Sequence, residues 1–135
     1  MNIGTFALGW LPPPPNNDKP EAPSYDPATV IDIMGRITDV WEVPYSSLDS
    51  LEGLNLAVKS GSETLDVYVG PADFVKIFGV TFVEGDKIEV IGSRVMFGDG
   101  DIVLAAEIRI ADATMVLRDK EGVPYWRDWG KRHTD

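Results

Sequence analysis

The chain has no cysteine, a single histidine and few cations, and each shortage closes off a class of chemistry. Without cysteine there are no disulfides, thiolate metal sites, iron–sulfur clusters or thiol nucleophiles. His133 stands at the very end of the chain, where side chains are commonly solvated, so neither a Ser-His-Asp triad nor a zinc site of the usual ligand set is expected. Neither a G-x-x-x-x-G-K-[ST] nor a G-x-G-x-x-G motif is present, and nothing marks two of the 22 acids as a catalytic pair. The chain therefore reads as a non-enzyme with no cofactor. Twelve Lys and Arg against 22 Asp and Glu give a net charge of −10. That excess repels a phosphate backbone and disfavours nucleic acid as a general partner. No apolar run is long enough to span a bilayer.

What remains is 135 residues at 44% apolar content, enough for one domain with a real core. Residues 1–11 are largely apolar and uncharged, and a run of four prolines follows at 12–15. Such a run favours extended polyproline and stops a helix. Residues 1–28 thus form an arm or tether. In one reading Ile3, Phe6, Leu8 and Trp10 pack on the domain or on a neighbouring copy. In the other they are the stump of an export signal. Both an exported, periplasmic location and a cytoplasmic one stay open, as does an oligomer.

From residue 29 the texture changes to strands. Residues 30–41 are rich in β-branched side chains, and Gly35 inside them suggests a bulge or sharp bend. A loop rich in Ser, Asp and Pro covers 42–53. Leu54, Leu56 and Val58 then alternate with polar or small residues, Ser60-Gly61-Ser62 turns the chain, and Leu65, Val67 and Val69 alternate in turn. This hairpin is expected to bury one face and to wet the other, which carries Asn55, Ala57, Lys59, Asp66 and Tyr68. Pro71, the spacing of Phe74, Ile77 and Phe78, and Gly79 predict a helix of about two turns. Strands follow over 87–97 and 102–110, joined by Gly98-Asp99-Gly100-Asp101, with a short last strand over 114–117. Three strands, a short helix and two strands is the order of the OB-fold, a five-stranded Greek-key barrel. The fold class is all-β with one short helix, the domain running over 29–129 and a tail over 130–135.

Val69-Gly70-Pro71, Phe74, Gly79, the run from Gly85 to Ser93, Ala105-Ala106-Glu107-Ile108 and the closing Leu117-Arg118-Asp119 with Gly122, Pro124 and Trp126 resemble small bacterial OB-fold proteins, many of them exported. The chain is similar to domains of periplasmic and magnetosome-associated proteins, where they serve as binding or accessory modules. Some such relatives carry haem-binding Cys-x-x-Cys-His motifs. This chain has no cysteine, so the resemblance implies no haem here.

An OB barrel binds across its second and third strands and the loops at their ends, and single-strand binders set aromatics there in a basic groove. The candidate surface comprises Arg36, Trp41, Lys59, Tyr68, Arg94 and Phe97, with the three aromatics for stacking and the three cations for phosphates. The alternative is a solvated sheet face with Trp41 folded under the long loop. Residues 118–132 hold five cations against three acids, whereas residues 1–117 hold seven against eighteen. Tyr125, Trp126 and Trp129 cluster in that weakly positive tail. Either Trp126 or Trp129 plugs the barrel while Arg118 pairs with an acid, or the tail docks a partner. Asp99 and Asp101 have the look of a calcium pair but lack the other ligands of a loop site, and Gly and Asp also suit a hairpin turn. The sequence is thus read as a non-catalytic OB-fold binding or accessory module for a protein or small cationic ligand. The alternatives are a single-stranded nucleic-acid binder and a divalent-metal-responsive protein.

Overall fold

A computed structural model describes residues 24–44 and 52–127. Six strands follow one another: β1 (Val30–Pro44), β2 (Glu52–Ser60), β3 (Glu63–Pro71), β4 (Lys87–Phe97), β5 (Gly100–Ile110) and β6 (Ala113–Val116). Between β3 and β4 lies α1 (Ala72–Val75), prolonged by a 3-10 turn over Lys76–Phe78. The order across the sheet is β3-β2-β1-β4-β5-β6, and β3 also pairs in parallel with β5 through Val67–Val103 and Tyr68–Leu104. That seam closes five strands into a barrel with the OB-fold topology. The short β6 is an addition that extends the sheet beyond β5.

The bend that closes the barrel sits in β1. Val30 to Arg36 pair with β4, whereas Arg36 to Pro44 pair with β2. Gly35 stands just before the change of partner, in regular register with Ile88, and the bulge itself comes later, between Ile37 and Asp39. Glycine is required for closeness: a Cβ at this position would overlap the Lys59 carbonyl oxygen. Gly35 therefore marks the bend, and the bulge belongs to its neighbours.

Inside the barrel, Ile37, Leu56, Val58, Leu65, Val67, Val69, Ile88, Val90, Val103 and Ile108 are buried, as their alternation demands. The helical plug has the expected length of about two turns, one α-helical and one 3-10; Gly79 ends it at φ 69°, a left-handed stop. Pro71 closes β3 and caps the helix. At the other connection, β4 and β5 meet across the two-residue turn Gly98-Asp99, with Gly98 at φ 64°.

The outer face of the β2–β3 hairpin departs from the alternation. Lys59 and Asp66 are exposed, but Asn55, Ala57 and Tyr68 are buried. For Tyr68 the cause lies after β6. The backbone N–H groups of Leu117 and Arg118 both donate to the Ala106 carbonyl, at 2.7 and 3.2 Å. Ala106 is the extra residue opposite the Ile91/Gly92 irregularity of the β4–β5 ladder, so its carbonyl is free to anchor the tail. Residues 117–127 then fold back over the barrel wall.

Candidate functional site

Trp126 is the centre of the covered face. It is 7% exposed, meets the Tyr68 ring edge-on at a centroid distance of 6.4 Å, and lies 5.5 Å from the Phe74 ring. Beneath it is Gly70, where a Cβ would come within 3.1 Å of the indole. Gly53 makes similar room for the Tyr68 ring. The indole is thus a core side chain on the barrel wall, between β3 and the helical plug.

A short backbone loop holds this lid in place. Asp119 Oδ1 accepts from the N–H groups of Glu121 and Val123, at 3.0 and 2.9 Å, and the Tyr125 N–H donates to the Leu117 carbonyl at 3.0 Å. Arg118 completes it. Its guanidinium lies 4.9 Å from the Trp126 ring centroid and 5.6 Å from that of Tyr25, and its Nη1 donates to the Gly122 carbonyl at 3.0 Å. One of the two readings of the tail pairs Arg118 with an acid. Among the described residues it makes no ion pair, and two aromatic faces take that place. Desolvation pulls its pKa down from the ordinary arginine value, while the same burial pushes the Tyr25 hydroxyl up. Asn55 Oδ1, Arg118 Nε and Trp126 Nε1 are buried without a hydrogen-bond partner among the described residues.

The candidate side chains divide among several places. Trp41, Asn55 and Tyr68 form one row across β1, β2 and β3, with Trp41 half-buried. Tyr68 lies under Trp126 and presents no open ring, which corrects the expectation of a wet stacking position. Arg36 and Lys59 face each other across β1 and β2, both exposed, and the Arg36 Nη1 donates to the Gly85 carbonyl at 2.9 Å. Lys87, which no local pattern singles out, stands opposite Arg36 on β4.

Arg94 is elsewhere, clamped by Glu63 at 2.6 Å and Asp101 at 2.7 Å; the hydrogen bonds it donates to these carboxylates raise its pKa. Phe97 packs half-buried at the end of β4. Asp99 sits in the β4–β5 turn, and Asp101 already accepts from Arg94 Nε. No group of three or more His, Cys, Asp or Glu is placed to hold a metal among the described residues. Tyr125 is 55% exposed beside the buried Trp126, and Trp129 lies outside the described residues. The proposed roles of residues 1–11 and of the loop over 45–51 also lie outside them. No helix among the described residues is long and apolar enough to cross a membrane.

Sequence reasoning missed Tyr25, Arg118 as a stacked cation, and Lys87. Tyr25 follows a proline-rich stretch with no periodicity, and Lys87 becomes notable only through its register with Arg36.

The sequence model of the MamS/MamX magnetosome protein family matches residues 29–115, more than half of the chain. The chain belongs to this family. The match covers β1 to β5 and most of β6, and it stops before the Arg118–Trp126 lid. No curated protein matches the chain. Among solved structures, it is similar to the mitochondrial single-stranded DNA-binding protein Rim1 of S. cerevisiae, at 13% identity and a TM-score of 0.48, covering 65% of this chain and 96% of that one. It is also similar to a chain of the S. pombe Stn1–Ten1 complex, at 18% identity and a TM-score of 0.47, covering 78% of this chain and 68% of that one.

Proposed function

We propose that this member of the MamS/MamX family is a non-catalytic accessory module that binds a protein partner and does not read single-stranded nucleic acid. The observation that carries the reading is the occupied hairpin face: Trp126 covers Tyr68, where a base would stack. Arg94, a second member of the expected platform, is neutralised by Glu63 and Asp101. A net charge of −10 adds long-range repulsion of phosphates and favours a positively charged partner. The surface left for such a partner includes half-buried Trp41 and exposed Tyr125.

Affinity capture from magnetosome-forming cells tests this reading. The expected result is a protein that stays bound after nuclease treatment and leaves as salt is raised. Retention of nucleic acid alone, lost on nuclease treatment, would contradict it.

A further inference from the structure

A second site lies further along the same outer sheet surface, at the Ser60 end of β2. Lys59, Arg36 and Lys87 stand directly opposite one another in two successive register pairs, Arg36–Lys59 between β1 and β2 and Arg36–Lys87 between β1 and β4. Register partners share a face of a sheet, so three cations project from one row across three strands. All three are exposed, and none makes an ion pair among the described residues. Arg94 and Arg109, by contrast, are each held by two carboxylates. Like charges set opposite one another are locally unfavourable in a sheet, and here they occur in a chain rich in acids that could have paired them.

The row also borders a hollow. An open groove of about 480 Å³ is lined by Arg36 and Lys87 together with Met34, Ile88, Glu89 and Arg109. Arg36 is aimed by its bond to the Gly85 carbonyl, which leaves further guanidinium N–H groups for a ligand. Glu89 on the groove wall is engaged by Arg109 at 3.5 Å. With strands about 4.8 Å apart, the outer lysines of the row stand about 10 Å apart at the backbone. That span suits a short chain of oxyanions.

The surroundings set a limit on the length of the ligand. The next row towards the hairpin carries exposed Asp39 and Asp66 on either side of Ala57, and on the other side lie Glu89 and Asp32. A long polyanion lying across the row would run onto these acids, whereas a small one would not. We infer that Lys59, Arg36 and Lys87 form a binding site for a small multiply charged phosphate anion. The Asp39–Ala57–Asp66 row separates the site from Tyr68 under Trp126, and the site does not depend on the partner proposed above.

Calorimetric titration of the full chain with inorganic tripolyphosphate at low salt tests the site. The expected result is saturable binding, weakened about tenfold or more by Lys59→Gln combined with Lys87→Gln. Lys76→Gln, which removes an exposed cation paired with Asp73 at 3.8 Å, should leave the affinity unchanged. If the double variant fails to fold, Lys87→Gln alone carries the test, with a smaller loss expected. Absence of saturable binding would overturn the site, as would an equal loss in Lys76→Gln. Parallel titrations use a single-stranded oligonucleotide and vesicles containing anionic lipid. Binding of either without binding of tripolyphosphate would replace the small anion with a macromolecular one and overturn the inference.

Discussion

Arg118 shows how a single side chain can be held by unlike partners. Its guanidinium is flanked by Tyr25 and Trp126 and anchored on the Gly122 carbonyl, so its desolvation is offset by ring faces and one hydrogen bond. Trp126 contributes more, because a large aromatic buried against Tyr68, Phe74 and Gly70 leaves a cavity when removed. Trp126→Ala is expected to destabilise the chain by about 3 kcal/mol or more, read from urea unfolding. A loss near zero would place the indole outside the core. Glu89 is a second instructive residue. The neighbouring Asp32 carboxyl is the main cause that raises its pKa above the ordinary glutamate value, followed by desolvation, while Arg109 opposes the rise. The folded chain therefore holds this proton more tightly than the unfolded chain, and the ionised pair opposes folding as pH rises through the raised pKa. Glu89→Gln should melt higher than the parent at neutral pH, and the difference should vanish below the ordinary glutamate pKa of about 4.3. An unchanged difference across that range would show that the Asp32 carboxyl does not raise the Glu89 pKa.

At the scale of elements, the strands and the plug were legible because their signals are local. Alternation of Leu65, Val67 and Val69, the turn at Ser60-Gly61-Ser62 and the stop at Gly79 each lie within a few residues of what they determine. The bend at Gly35 was legible in place but not in kind, since the collision that requires glycine is with Lys59 on another strand. Gly35→Ala should force β1 away from β2, with a loss of about 1–3 kcal/mol in thermal or urea unfolding. A neutral outcome would mean that the strand crossing tolerates a wider spacing. The covered face was not legible. The alternation of Asn55, Ala57 and Tyr68 with apolar neighbours describes a face exposed by its own strands, and it holds no record of a tail arriving from beyond β6. Likewise the row of Lys59, Arg36 and Lys87 exists only once three strands are in register.

Over the whole molecule, closure and charge point the same way. The barrel closes at the β3–β5 seam, and the tail closes over its outer wall beside that seam, where Trp126 covers Tyr68. The chain carries a net charge of −10, and the exposed cations Lys59, Arg36 and Lys87 stand in one row on the outer sheet surface. The N-terminal segment is joined to the same body through Asp26, whose N–H donates to Ser93 Oγ at 3.0 Å, and Thr29, whose hydroxyl lies 2.8 Å from that oxygen. Membership of the MamS/MamX family sets this body among magnetosome proteins. A fluorescence titration of the full chain with a single-stranded oligonucleotide, at low and then at higher salt, tests the covered face most directly. No saturable binding at low salt is expected. Saturable binding that collapses with salt and is lost in Trp41→Ala would show that the barrel still offers a stacking platform, and would contradict the reading of a protein-binding module.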